Sequence, residues 1–229
     1  MSRLIVAAVG FLLLLWPAPL DAQGTIGHRL LERRSVVLTI TGAGVGTTCL
    51  GFRLTPGDFP SNVDLVLTAA HCLYDLGDSP GISAQSLGRQ TGRSRAAFLW
   101  AEYDLALLLV TPRLGPLEPL RYAHTEPPAE LPVLAMVRGS GGMPTIASAR
   151  VLGQEEHIVY LGMPAAPGSS GGGVVDPSAF LVGMISSGTP VVRGGTTTPF
   201  VMAIGANAIY GMWDQERERI LARARELNR

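Results

Sequence analysis

Three residues of types that act together in nucleophilic catalysis stand at separate points of the sequence. Ser170 lies in a glycine-rich stretch, His71 directly follows an apolar run, and Asp104 precedes another apolar run. A serine hydroxyl is a weak nucleophile until a base removes its proton, and histidine titrates in the range that this requires. A carboxylate fixes the histidine tautomer and stabilises its charged form. The residue types therefore predict nucleophilic chemistry at Ser170.

The stretch around Ser170 is suited to a tight turn, since residues 166–175 read Ala-Pro-Gly-Ser-Ser-Gly-Gly-Gly-Val-Val. Glycine permits backbone angles that other residues resist. Such a turn can direct a hydroxyl at a substrate and point backbone N–H groups at an oxygen that becomes negative during reaction. Taken alone, the stretch favours an ordinary loop before a strand, and only the combination with His71 and Asp104 favours catalysis.

The elements that position these residues are predicted to be strands. Val63–Ala69 is a predicted strand that delivers His71, and Leu105–Val110 is one that begins beside Asp104. We expect an exposed connection with one weak strand over 77–95, a proline-rich linker over 111–132 and a loop over 191–198. The body of the chain is therefore predicted to be nearly all β.

The hydrophobic period changes from 2 to that of a helix after Gly205. The residues on the predicted helix face are Ile209, Trp213, Ile220, Ala224 and Leu227. A C-terminal helix over 205–227, packed on the strands, is the plain interpretation. A helix that binds a partner or a membrane surface is the alternative.

Three motifs contain His71, Asp104 and Ser170: Thr-Ala-Ala-His-Cys at 68–72, Asp-Leu-Ala-Leu-Leu at 104–108 and Gly-x-Ser-Gly-Gly at 168–172. Together they resemble the chymotrypsin/trypsin-like serine peptidases, in particular the bacterial trypsin-like enzymes of the glutamyl endopeptidase and HtrA types, and the resemblance covers roughly residues 35–212. It implies two antiparallel β-barrels of chymotrypsin type, about 35–120 and about 130–204, within a peptidase domain over 35–229 that ends in the C-terminal helix.

The resemblance also implies an activity and its residues. The chain would be a secreted serine endopeptidase that cleaves protein or peptide substrates through an acyl-enzyme, with His71, Asp104 and Ser170 as catalytic residues. The backbone N–H groups of Gly168 and Ser170 would form the oxyanion hole. Neither a cofactor nor a metal is implied.

The resemblance places the pocket for the residue before the cleaved bond between three uncharged segments. They are Met163–Pro167, which includes Pro164, then Ser186, Ser187 and Gly188, which pair with the substrate backbone, and Thr197–Phe200, where Phe200 takes up space. A buried charge would enter this pocket unpaired. We therefore expect cleavage after small or medium uncharged residues such as Ala, Val, Leu or Thr, unless Arg193 pairs with an acidic side chain.

The sequence departs from the family pattern near the nucleophile. Ser169 stands where trypsin-like members have aspartate, and no Ile-Val-Gly-Gly start is present. Activation by pairing that aspartate with a newly cut N-terminus is therefore not expected. Gly173 replaces the usual proline, which is expected to loosen the loop.

Residues 1–22 have the pattern of a secretory signal peptide: Arg3, an apolar run and a helix-breaking Pro17-Ala18-Pro19. A retained anchor is the alternative. An N-terminal arm over 23–34 would follow, and the mature protein would be secreted or periplasmic, with no membrane association. Export permits a disulfide. By resemblance it joins Cys49 and Cys72, although two buried free thiols would also fit.

Other functions fit less well. Gly168–Gly172 also matches the nucleophile turn of α/β-hydrolases, but that fold requires the order Ser, Asp, His. The stretch Gly42–Gly46 precedes a strand rather than the helix that a dinucleotide site needs, and the formal net charge of +0 suggests no nucleic-acid partner. A secreted binding protein that kept the fold without turnover remains open.

Overall fold

The computed structural model describes residues 26–42, 44–74, 80–118, 120–122, 126–193 and 196–229. The predicted signal peptide, residues 1–22, lies outside these ranges. Within them the chain forms thirteen β-strands and two α-helices. The predicted all-β class with a C-terminal helix is therefore confirmed.

The first six strands form a closed antiparallel barrel in the order β1-β2-β3-β6-β5-β4. Both β3 and the first six residues of β6 are fully buried, because each is a continuous apolar run enclosed on both faces. β4 and the first half of β5 occupy the predicted exposed connection at 77–95. The bounds are β1 Ser35–Gly42, β2 Val45–Arg53, β3 Asp64–Ala69, β4 Gly81–Ser86, β5 Thr91–Trp100 and β6 Leu105–Thr111.

The second barrel has the order β11-β8-β9-β10-β13-β12 and closes through pairing of β11 with β12. A short strand, β7, pairs in parallel with β12 outside this ring. The predicted loop at 191–198 is wrong, because β12 and β13 pair from Gly183 opposite Gly205 to Arg193 opposite Thr196. The bounds are β7 Arg121–Tyr122, β8 Pro132–Arg138, β9 Pro144–Glu155, β10 Ile158–Leu161, β11 Gly173–Val175, β12 Phe180–Arg193 and β13 Thr196–Gly205.

The two helices lie at opposite ends of the chain. The predicted N-terminal arm contains a helix, α1 Ile26–Arg34, whose Gly27 N–H donates to the Pro177 carbonyl of the second barrel at 3.2 Å. The predicted C-terminal helix is α2 Ala206–Leu227, and its predicted apolar face is buried at Ile209, Trp213, Ile220 and Ala224. Neither helix in the described ranges is long and apolar enough to cross a bilayer.

A buried cluster of charges joins α1 to the first barrel. The guanidinium of Arg34 donates to the carbonyls of Arg53 at 2.6 Å and Leu54 at 3.1 Å. Burial, together with the nearby Arg53 charge, lowers the pKa of Arg34 to about 10, so this side chain stays protonated at neutral pH. Arg53 in turn lies 2.8 Å from the Asp64 carboxylate, which also accepts the Leu114 N–H at 2.7 Å.

Removing the carboxylate of this cluster is expected to destabilise the fold strongly. Asp64→Ala leaves the Arg53 charge buried without its counter-ion, and such losses lower the free energy of unfolding by about 3–5 kcal/mol. Arg150→Ala is the matched control, because Arg150 and Glu130 form an exposed pair that contributes about 0–1 kcal/mol. Denaturant unfolding measures both, and equal losses would contradict the role assigned to Asp64.

Candidate active site

The register of two neighbouring strands brings His71 and Asp104 together. Ala69 at the end of β3 pairs with Leu105 at the start of β6, so the residues just beyond each strand lie side by side. The Asp104 carbonyl accepts the Ala70 N–H at 3.1 Å, and its Oδ1 accepts the His71 N–H at 2.9 Å. The backbone alone therefore holds the carboxylate against the histidine turn.

A hydrogen-bond chain runs from Asp104 to Ser170. His71 Nδ1 lies 2.9 Å from Asp104 Oδ2 and 3.1 Å from Oδ1, and His71 Nε2 lies 3.1 Å from Ser170 Oγ. The structure thus brings together the three residues that the sequence singled out, two from the first barrel and one from the second. The His71 side chain is half exposed, so a substrate can approach these hydrogen-bonded residues from the solvent.

Asp104 and His71 change each other's acidity. The hydrogen bond to Asp104 raises the pKa of His71 above 6.5, against the lowering effect of burial. Burial raises the pKa of Asp104. The hydrogen bonds that its carboxylate accepts from the His71 side chain, the Ser186 side chain and the His71 backbone have the larger effect, so the pKa of Asp104 is lowered overall. The pair therefore combines an ionised carboxylate with a more basic imidazole.

Ser186 has a contact that sequence reasoning missed. The sequence assigns it to substrate pairing, whereas its hydroxyl donates to Asp104 Oδ2 at 2.5 Å across the two barrels. It is nearly buried, with 9 % of its surface exposed. No local pattern marks this serine, because its partner lies 82 residues away in the chain.

The Ser170 loop consists of two successive turns. Ser169 N–H donates to Ala166 O at 3.1 Å, and Gly172 N–H donates to Ser169 O at 3.0 Å. Gly168 and Gly171, third in these turns, have φ values of 85° and 89°, which glycine adopts without strain. In the described part of the chain, neither Gly168 N–H nor Ser170 N–H is used in a hydrogen bond.

The Ser169 side chain holds this loop internally. Its buried hydroxyl donates to Ala166 O at 2.7 Å and accepts the Arg138 N–H at 3.0 Å. The loop therefore has its own hydrogen bonds where trypsin-like members use a carboxylate. Gly173 is buried in β11, and a Cβ there would lie 2.3 Å from the Phe52 ring, so the packing leaves no room for a side chain; the expectation that Gly173 loosens the loop stays a prediction.

Both barrels hold the loop from opposite sides. On the first, Leu50 N–H of β2 donates to Ser170 O at 2.8 Å, and a Cβ on Gly171 would lie 1.9 Å from Leu50 O. On the second, Ile185 of β12 exchanges hydrogen bonds of 2.8 Å with the loop. Only glycine permits so close an approach of Leu50 O at position 171. A disulfide between Cys49 and Cys72 also joins β2 to the histidine turn.

The expected pocket segments lie beside β12. Gly188 is exposed, and a Cβ there would lie 3.6 Å from Ala165 Cβ and 3.8 Å from both Ala165 O and Val201 Cγ2, so this glycine lies beside Ala165 and Val201. Phe200 packs its ring against Tyr160, with centroids 5.9 Å apart. Of the other expected residues, Pro164 is exposed, Ser187 is partly buried, and the Arg193 side chain lies outside the described part of the chain. Within that part, no three His, Cys, Asp or Glu side chains are grouped to hold a metal ion.

A family model described as a trypsin-like peptidase domain matches residues 49–184. The chain belongs to this family. The match spans all three residues of the hydrogen-bond chain and both cysteines. No curated protein matches the chain.

Solved structures agree with this membership at the level of the fold. The Rv3671c protease from M. tuberculosis in its active form is 17% identical with a TM-score of 0.64, and the alignment covers 83% of each chain. The HtrA-type protease AlgW with a tripeptide is 15% identical with a TM-score of 0.67, covering 84% of this chain and 63% of that one. At these identities the similarity concerns the fold alone.

The pKa of the His71 imidazole is expected to lie above 6.5, and Asp104→Asn is expected to lower it, because the substitution removes the negative partner. A titration of the ring protons by NMR measures both values. Asp176→Asn is the control, since the Asp176 carboxylate accepts the Phe180 N–H instead. A His71 pKa that is the same in the Asp104 variant and the unaltered protein would contradict the coupling.

Proposed function

We propose that the protein is a serine endopeptidase with Ser170 as nucleophile, His71 as general base and Asp104 as the residue that orients the base. The observation that carries the proposal is the continuous chain from Asp104 through His71 Nε2 to Ser170 Oγ, with a last separation of 3.1 Å. This lies within the reach that proton transfer requires. Membership in a peptidase family supports the same reaction class.

The proposed reaction begins when Ser170 Oγ attacks the peptide carbonyl while His71 Nε2 takes the hydroxyl proton. The carbonyl oxygen becomes negative, and the unused N–H groups of Gly168 and Ser170 bind it. His71 then gives the proton to the leaving amine, which leaves an acyl-enzyme on Ser170. Water, deprotonated by His71, hydrolyses the ester.

Asp104 supports two states of the base in this mechanism. Its hydrogen bond to His71 Nδ1 keeps Nε2 unprotonated and facing the nucleophile in the resting state. After proton transfer, the ionised carboxylate stabilises the imidazolium. Since the base works only when neutral, kcat/KM rises with pH through the raised pKa of His71.

The position of Gly188 beside Ala165 and Val201 supports a preference for small or medium uncharged residues before the cleaved bond. Around the Cβ position of Gly188 lie the Cβ and carbonyl oxygen of Ala165 and a methyl of Val201, none of which is charged. A charged side chain that is buried there without a partner would cost several kcal/mol. Ala, Val, Leu and Thr are the residues we expect.

We also propose that the mature protein acts in a secreted or periplasmic setting. The Cys49–Cys72 disulfide supports this, because such bonds persist in oxidising compartments. A binding protein without turnover is the alternative function. It has no need of a base within hydrogen-bond distance of a serine, so the geometry favours the enzyme.

Substitution of the nucleophile and the base tests the proposal. Ser170→Ala and His71→Ala are each expected to lower kcat at least about 10⁴-fold, and the double variant to be hardly worse, because the residues act as one unit. Ser178→Ala is the control, since Ser178 is exposed in the turn after β11. Losses that multiply in the double variant would contradict a shared mechanism.

Narrowing the pocket tests the specificity. Gly188→Ala adds a methyl group 3.6 Å from Ala165 Cβ, so kcat/KM for peptides with Leu before the cleaved bond should fall about tenfold more than for peptides with Ala. Gly153→Ala is the control, because its Cβ meets no atom within 4 Å. A peptide library that shows a dominant preference for Arg or Lys would contradict the pocket assignment.

A further inference from the structure

Arg138, the last residue of β8, lies against the oxyanion-hole glycine. A Cβ on Gly168 would lie 2.8 Å from Arg138 Cδ and 3.3 Å from Nη1, so the side chain crosses directly over this glycine. The backbone of Arg138 is fixed by its N–H donation to Ser169 Oγ at 3.0 Å. The guanidinium therefore lies beside Gly168, whose N–H is proposed to bind the reacting carbonyl.

The charge of Arg138 is not neutralised within the described part of the chain. Its Nε is buried with no hydrogen-bond partner, and no carboxylate lies within ion-pair distance of its guanidinium. An unsatisfied buried donor on a charged group is costly. Arg138 itself is partly buried. Arg53 and Arg113 also have a buried Nε without a hydrogen-bond partner, but both guanidinium groups form an ion pair with Asp64. A ligand could therefore supply the hydrogen-bond acceptor that the Arg138 Nε lacks.

The position of Arg138 relative to Ser170 indicates which half of a substrate it meets. The Ser170 loop lies between two strands: Ile185 of β12 forms hydrogen bonds with Gly171 and Gly172, and Leu50 of β2 donates to Ser170 O. The acyl half of a substrate is proposed to pair with Ser186–Gly188 on the β12 side. The leaving half must then depart on the β2 side, where Thr48 O and Arg138 Nη1 both lie within 3.3 Å of the Cβ position on Gly168.

We propose that Arg138 binds a carboxylate on the leaving half of the substrate, an inference that rests on the proposed function. Arginine presents a planar set of donors that matches a carboxylate, and the pairing would satisfy the unused Nε. The carboxylate belongs either to an acidic side chain at the first or second residue after the cleaved bond, or to a free C-terminus at the same distance. Arg138 is thus a specificity-determining residue for this reaction.

The test uses three peptides with one acyl half and different leaving halves. The first has an acidic residue after the cleaved bond and an amidated end, the second has neutral residues and a free terminal carboxylate, and the third is neutral and amidated. The readout is the ratio of kcat/KM between a carboxylate peptide and the neutral amide. A general disturbance of the Ser170 loop changes both values and cancels in this ratio.

The unaltered protein should favour at least one carboxylate peptide about ten- to a hundredfold. Arg138→Gln should bring the ratio close to one, and Arg138→Lys should retain part of it. Arg150→Gln, at the opposite end of the β8–β9 pair, should leave the ratio unchanged. The peptide that is favoured identifies the source of the carboxylate, and preference for either one supports the proposal.

Two outcomes overturn the inference while the proposed function stands. One is a ratio near one in the unaltered protein that nevertheless cleaves the neutral amide. The other is a carboxylate preference that Arg138→Gln leaves intact. Failure of the unaltered protein to cleave any of the three peptides would overturn the proposed function together with the inference.

Discussion

The carboxylate of Asp104 accepts hydrogen bonds from both barrels. It accepts the His71 backbone and Nδ1 hydrogens from the first barrel and the Ser186 hydroxyl hydrogen from the second. Burial opposes its charge, and these donors outweigh burial. Since the orientation and basicity of His71 both follow from this charge, the geometry at Ser170 depends on keeping Asp104 ionised and hydrogen-bonded.

Close backbone contacts hold the Ser170 loop. Ser169 bonds within the loop and to β8, while the carbonyl of Ser170 accepts the Leu50 N–H of β2. Helix α1 also joins the two barrels, because Gly27 donates to Pro177 O of the second barrel and Arg34 donates to Arg53 O of the first. The described chain thus contains hydrogen bonds that hold both halves around Ser170 without the aspartate of trypsin-like members.

The sequence was sufficient to predict most of the fold, and it singled out the three residues that the structure brings together. Apolar runs such as Leu105–Val110 are strong local signals, and the motifs around His71, Asp104 and Ser170 combine residue type with order. Residues 191–198, predicted as a loop, contain two glycines and lie between Pro190 and Pro199. In the structure these two prolines are paired in the register of β12 and β13, and extended backbone accepts proline wherever its missing N–H is not needed.

What the sequence did not indicate are contacts between distant residues that carry no local pattern. Ser186 reaches Asp104, Arg34 enters the first barrel from a polar helix, and Arg138 lies over Gly168 only because β8 ends there. Each depends on the packing of two completed elements. Hydrophobic period and turn composition report on single elements, so they contain no information about such pairs.

A fluorophosphonate probe measures whether His71 makes Ser170 nucleophilic. Such a probe forms a covalent bond with a serine oxygen that a neighbouring base activates. Peptide mass spectrometry of the labelled protein should locate the adduct on Ser170, and labelling should be lost in His71→Ala. An unlabelled protein, an adduct on another residue, or undiminished labelling of the His71 variant would contradict the activation of Ser170 by His71.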